Sequence, residues 1–183
     1  MRKINLFLFV MCCSIIVACK SKAINSTTDE SIKEEKKEIQ SPLAQRLYTN
    51  YHAEPANNDE QEENWIIEYA VKHNLDVIKS PTGLYYQIEN VSSAAFYQLN
   101  STATAHYRGT FFDGTEFDSS YSKNKPMTFT VSGMIAAWKE VLVKMNPGAS
   151  ATLLVPSKLA YGKRGFTGFI GPDTPLVFTI QCL

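Results

Sequence analysis

The sequence predicts an α+β domain in its C-terminal half, a sheet curled over one short helix, with a helical extension in front of it. Two observations carry this. From Ser101 onward apolar residues come in short strand-like runs, Ser101–Phe112, Met127–Val131, Ser150–Val155 and Leu176–Cys182, and Asp113-Gly114 marks a tight turn after the first. Between the second and third runs, Met134, Ile135, Trp138, Val141, Leu142 and Met145 recur at helical spacing, with Ser132 as the expected cap and Asn146-Pro147-Gly148 as the stop.

The extension follows from a second periodic stretch. Leu43–Tyr51 suits a short helix, and Pro55-Ala56-Asn57-Asn58 breaks it. Asn58 or Asp59 is the expected cap of a longer helix with Glu60, Glu62 and Glu63 in its first turn, where acidic groups suit the helix dipole. Trp65, Ile66, Tyr69, Ala70 and His73 follow on one face, and Asn74 is a left-handed stop. Such a stripe must pack on something, either the C-terminal domain or a second copy of the chain, so a homodimer through this front helix is an expectation. Ser80-Pro81-Thr82-Gly83 then forms a turn into the strand Leu84–Ile88.

The N-terminus differs in kind. Arg2 and Lys3 precede an apolar run, Ile4 to Ala18, shorter than the ~20 residues of a bilayer-spanning helix, which is the pattern of a secretory signal peptide. Ile16-Val17-Ala18-Cys19 resembles a bacterial lipobox, in which cleavage before the cysteine leaves it lipidated. Cys19 is therefore the expected lipid anchor, and the expected location is the cell envelope, on a membrane facing the periplasm. Residues 20–42 are polar and charged, with too little to bury, and read as a tether. The expected organisation is a signal at 1–18, a flexible tether at 19–42, the helical extension at 43–80 and the folded domain at 81–183.

Charge and cysteine usage narrow the function classes. The chain is neutral overall, with 18 basic and 18 acidic residues, and neither half is basic enough to suggest nucleic acid as a partner. No glycine-rich phosphate loop occurs. His52, His73 and His106 lack metal-ligand spacing with one another or with Cys182, so no metal site is expected. Cys182, the one cysteine after Cys19, sits in a strand-like run and reads as a buried structural thiol.

The residues themselves go further than their periodicity. Ala105-His106-Tyr107-Arg108-Gly109 followed by Asp113-Gly114-Thr115-Glu116-Phe117-Asp118-Ser119-Ser120 resembles the signature of FKBP-type peptidyl-prolyl cis-trans isomerases. Asn124-Lys125-Pro126, Ile135-Ala136-Ala137-Trp138, Leu159-Ala160-Tyr161-Gly162 and the stretch Ile170 to Phe178 match further pieces of that family, in order and at compatible spacing over about eighty residues. The front half, a helix and then Thr82-Gly83-Leu84-Tyr85-Tyr86, is similar to lipoprotein members, among them ones associated with bacterial gliding motility.

The resemblance implies an antiparallel sheet over the helix and a cofactor-free isomerase of X-Pro bonds in exported proteins. It implies Asp118, Tyr161, Tyr107 and Phe117 as the catalytic group. It implies Met127, Met134, Ile135, Trp138, Phe169, Ile170 and Phe178 as the substrate pocket, with Trp138 as its floor. Macrolide immunosuppressant-type ligands are implied alongside proline-containing polypeptides. The competing expectation is a binding or chaperone lipoprotein that keeps the fold with little turnover. Three departures bear on specificity: Met127 replaces a frequent aromatic, Ala137 a frequent glycine, and the segment from Phe129 to Trp138 is about two residues short.

Overall fold

The computed structural model describes residues 41–183. The expected signal peptide, Cys19 and nearly all of the expected tether lie outside the described residues.

Two helices open the chain. Helix α1 (Pro42–Tyr48) starts with Pro at its first position, and Ser41 caps it by accepting from the Ala44 amide at 3.0 Å. Helix α2 spans Asn58–Lys72. Its cap is Asn57 rather than Asn58 or Asp59: Asn57 is extended and accepts from the Glu60 amide at 3.0 Å, while Asn58 is already helical and turns its amide onto Glu62. Asn74, at φ 50°, stops the helix as its residue type suggests.

Seven strands follow: β1 (Ile78–Lys79), β2 (Tyr85–Glu89), β3 (Thr102–Thr110), β4 (Glu116–Ser119), β5 (Met127–Thr130), β6 (Ser150–Val155) and β7 (Leu176–Cys182). They form one antiparallel sheet in the order β1-β2-β6-β7-β3-β4. Both β4 and β5 pair with the same side of β3, β4 beside Arg108–Thr110 and β5 beside Thr102–Ala105. Tyr107 falls between them. Its backbone groups are satisfied by Ser120 instead, whose hydroxyl accepts from the Tyr107 amide at 2.8 Å and whose amide donates to the Tyr107 carbonyl at 3.0 Å.

The C-terminal helix is shorter than its stripe suggests. Val131–Gly133 form one 3-10 turn, Met134 and Ile135 are extended, and helix α3 covers only Ala136–Leu142. Ser132 does not cap it, because it lies inside that 3-10 turn and Ile135 holds the cap position; the Ser132 amide donates across to the Leu99 carbonyl at 2.8 Å and ties the segment to the preceding loop. Met134 and Ile135 therefore project from an extended link and not from a helix face.

Alternation along the strands feeds two cores. Leu176, Phe178, Ile180 and Cys182 of β7 face α3 with Trp138, Val141 and Leu142, and Val177 faces the other way. On that second face α1 and α2 cover Tyr85, Leu154 and Val177 with Leu47, Ile66, Ile67, Ala70 and Val71. The front helix thus packs on the chain's own sheet. Ile66 and Ala70 of the expected stripe are buried, but the buried face is rotated from the rest of it: Ile67 and Val71 are also inside, while Trp65 stays 43% exposed and His73 caps the end, its ring tilted 30° against Tyr69. Pairing of two copies through the front helix would have only this outer flank to use.

Candidate functional site

A cleft of about 490 Å³ opens between β4 and the loop 161–170. Phe117, Asp118, Tyr161, Phe169 and Ile170 line it, with Glu116, Ser122, Lys123 and Phe166. Each arrives for a local reason. The β3–β4 turn closes with Gly114 at φ 87°, where a side chain is disfavoured, and Asp113 accepts from the Thr115 amide at 2.8 Å. A register shift between Gly109 and Thr110 then sets Phe117 and Asp118 beside the end of β3. Gly109 leaves the space Phe117 needs, since a Cβ there would lie 2.5 Å from the Phe117 ring and 3.0 Å from that of Phe178.

The opposite wall is a short stretch of tight turns. Gly165, at φ 63°, lets the chain fold back so that Phe166 and Ile170 bond to each other, 2.8 Å from the Phe166 amide to the Ile170 carbonyl. This sets Tyr161, Phe166 and Phe169 in a row with successive ring centroids 5.5 Å apart. Phe166 and Phe169 are 51% and 65% exposed.

The Asp118 carboxylate stands beside these rings. Tyr107 donates its hydroxyl to Asp118 Oδ2 at 2.7 Å, and Lys123 Nζ bonds the other carboxylate oxygen and also approaches the Tyr107 hydroxyl at 3.3 Å. Burial alone would raise the Asp118 carboxyl, but the hydrogen bonds from Lys123 and Tyr107 outweigh it and hold it below the usual carboxylate range. Burial and then the Asp118 charge push the Tyr161 phenol above its ordinary value, so it keeps its proton. Among the described residues no hydrogen bond engages the Tyr161 hydroxyl.

Below the cleft the aromatics interlock. Trp138 meets Tyr107, Phe129 and Phe178 edge-on at centroid distances of 5.5–5.6 Å, and Phe117 meets Phe178 in the same way at 5.6 Å. The indole N–H of Trp138 is buried without a partner among the described residues. Met127 and Tyr107 line an adjoining hollow of about 430 Å³ that shares Lys123 with the main cleft. Met134 and Ile135 are half-buried against the main core and are not among the residues lining either space.

The structure so brings together five of the eleven expected site residues at the cleft itself, Tyr107 through its bond to Asp118, and Trp138 and Phe178 beneath. Sequence reasoning passed over Lys123 and Phe166. Lys123 lies five residues past Asp118 in a loop with no periodicity, and only the fold shows which carboxylate it meets. Phe166 had an available signal, an aromatic in a glycine-rich turn between Tyr161 and Phe169.

Fold and cleft together define a class: an α+β domain with an aromatic-walled apolar cleft and one carboxylate–phenol pair at its rim. Comparison with known proteins supplies the family. The family model described as FKBP-type peptidyl-prolyl cis-trans isomerase matches residues 94–183. The peptidyl-prolyl cis-trans isomerase Mip of Coxiella burnetii is 37% identical over 114 residues, 62% of this chain and 50% of that protein. The outer membrane protein MIP of Legionella longbeachae is 33% identical over 156 residues, 85% of this chain and 66% of that protein. The crystal structure of FkpA from Escherichia coli superposes with a TM-score of 0.62 at 29% identity, covering 90% of this chain and 74% of that one. The crystal structure of AtFKBP13 gives 0.54 at 32% identity, covering 58% of this chain and 95% of that one. The chain belongs to the FKBP-type peptidyl-prolyl cis-trans isomerase family. It spans between half and two thirds of the length of the two curated relatives described.

Proposed function

We propose that this chain catalyses cis-trans isomerisation of X-Pro peptide bonds in exported proteins, without a cofactor, in the cleft between Asp118 and Tyr161. The observation that carries this reading is a phenol free to donate, Tyr161, across an aromatic cleft from a carboxylate held ionised by Tyr107 and Lys123.

The reaction needs little more than that. Rotation about the planar amide faces a barrier of roughly 18–20 kcal/mol, because the nitrogen lone pair is shared with the carbonyl. Halfway through rotation the sharing is lost and the carbonyl is less polar, but no covalent bond forms or breaks. An apolar site that holds the twisted amide better than the planar one accelerates the step, and a million-fold gain requires only about 8 kcal/mol. The proline ring would rest over Trp138 between Phe117 and Ile170. Tyr161 would donate to a substrate carbonyl, and Asp118 would fix Tyr107 and stabilise the bound twisted peptide. A macrolide-type ligand would occupy the same cleft.

The location proposed is the cell envelope, with Cys19 as a lipid anchor. The lipobox-like Ile16-Val17-Ala18-Cys19 supports it, and so does likeness to a relative described as an outer membrane protein. Replacing Cys19 by Ala should release the chain from membranes or leave it unprocessed, and an intact mass with a free Cys19 amino terminus would overturn the anchor.

The exposed Phe166 and Phe169 favour a second reading, a binding or chaperone protein with little turnover. Catalytic efficiency on a short proline peptide separates the two. The enzyme reading requires a measurable kcat/KM that a cleft-filling macrolide abolishes. Ligand binding with no catalysed rate would establish the second.

A further inference from the structure

One buried ionisable group has no part in the mechanism above. Glu62, on α2, is 1% exposed. A carboxylate so far from water is rare unless paired, yet no cation pairs with Glu62 among the described residues, and Lys158, next to Ser157 in the chain, is engaged at 2.7 Å by Asp59. Three neutral donors hold Glu62 instead: the Ser157 amide at 2.7 Å on Oε2, the Ser157 hydroxyl at 2.7 Å on Oε1, and the Asn58 side-chain amide at 2.6 Å. If stability were the whole purpose, well-packed apolar side chains would serve as well or better. What a doubly bonded carboxylate adds is a fixed position for the group it holds.

That group opens the far wall of the cleft. Ser157 begins the 3-10 turn Ser157–Leu159, closed by the Leu159 and Ala160 amides on the Pro156 and Ser157 carbonyls at 2.9 Å. Tyr161 follows after Ala160. The next tie is at Gly162, whose carbonyl accepts from the Gly165 and Asp173 amides at 3.2 and 3.0 Å. The Tyr161 hydroxyl has no hydrogen bond of its own to hold it among the described residues. On its N-terminal side the wall leaves the sheet at Val155, paired with Leu176, and Leu159, Ala160 and Tyr161 pack on the main core; the Ser157 bonds add a polar tie to α2, a helix outside the family match that begins at residue 94.

We infer that Glu62 is a positioning residue for the cleft, acting through Ser157 to place Tyr161, so that the front helix sets the efficiency of the isomerase reaction. This rests on the isomerase reading, with Tyr161 as a catalytic residue and Glu62 acting only through it.

The test uses the full chain with Glu62→Gln, which keeps the shape but turns one acceptor into a donor, and Ser157→Ala, which removes the hydroxyl alone. Each is measured in the wild-type and Tyr161→Phe backgrounds, for kcat/KM on a proline peptide and for amide exchange. Glu62→Gln should lower kcat/KM about five- to tenfold in the wild-type background and less than twofold in the Tyr161→Phe background. Exchange should quicken at the Leu159, Ala160 and Gly165 amides and stay unchanged along β3 and β7. An equal loss in both backgrounds, or quickened exchange everywhere, would mean that Glu62 only stabilises the fold. If Glu62→Gln does not fold, Ser157→Ala carries the same comparison. If the wild type shows no catalysed rate, the isomerase reading falls. The exchange pattern then decides alone whether Glu62 positions the loop.

Discussion

Replacing Gly109 by Ala tests how the sheet shapes the cleft. The added Cβ would stand 2.5 and 2.8 Å from two carbons of the Phe117 ring and 3.0 Å from Phe178. Carbon atoms in contact prefer about 3.5–4.0 Å, so the Phe117 ring must withdraw by roughly 1 Å. It has little room, since Phe111 and Phe178 brace it at centroid distances of 5.2 and 5.6 Å. Overpacking of this kind costs about 1–3 kcal/mol, and the lower chain entropy of Ala in the unfolded state returns some 0.4–1 kcal/mol. A net loss near 1–2 kcal/mol should lower Tm by roughly 4–8 °C. Because the ring that moves is a cleft wall, kcat/KM on a proline peptide should fall at least threefold at a temperature where the variant is folded. Adding Phe117→Leu should return much of the lost stability. A Gly109→Ala variant with unchanged Tm and unchanged rate would refute the close approach of β3 to Phe117.

Other perturbations should separate chemistry from support. Trp138→Ala removes a 2% exposed indole that three rings contact and should cost about 3–5 kcal/mol of stability, whereas Asp118→Ala should lower kcat/KM about 10- to 150-fold with a much smaller change in unfolding midpoint. The Asp118 and Glu63 carboxyls both lie below their unfolded values, Glu63 because hydrogen bonds from Lys79, Tyr85 and His52 outweigh its burial. The stability they add is therefore present above about pH 4 and is lost as pH falls through the lower folded values. Tyr161 is shifted upward, so activity should hold level from about pH 5 to about pH 9, and a titration of activity near neutrality would contradict these roles. Burial pushes the Cys182 thiol up to about 11, so in a chain beginning at residue 20 alkylation at about pH 8 should be slow until denaturant is added.

What could be read beforehand follows from the range of the forces involved. Strands β6 and β7 fall on the expected residues because each is a short apolar run bounded by turn-forming residues. The stop at Asn74 and the turn at Gly83 depend on backbone preferences of single residues and were equally legible. Helix α3 was overextended because Met134 and Ile135 keep helical spacing while their backbone is extended, a choice made by the Ser132–Leu99 bond across the fold. The buried face of α2 is legible in part: Ile66 and Ala70 lie inside as expected. Trp65 and Tyr69 share helical spacing with them, but which flank the sheet covers is set across the fold, and it is the flank of Ile67 and Val71. At the cleft, Asp118 and Tyr161 were named through family resemblance. Lys123 and Glu62 were not: Lys123 meets Asp118 from a loop with no periodicity, and the partner of Glu62 is 95 residues away.

The proposed role of the cleft between Asp118 and Tyr161 is to accelerate rotation about an X-Pro bond. Exchange spectroscopy on a short proline peptide reads that rotation directly, because the cis and trans forms give separate resonances and interconvert unaided only over tens to hundreds of seconds. With a small molar fraction of the chain from residue 20 onward, cross-peaks between the two forms should appear at sub-second mixing times. Asp118→Ala should weaken them strongly, and a cleft-filling macrolide should erase them. Spectra with no exchange beyond the uncatalysed rate, from a chain shown to be folded, would contradict that role.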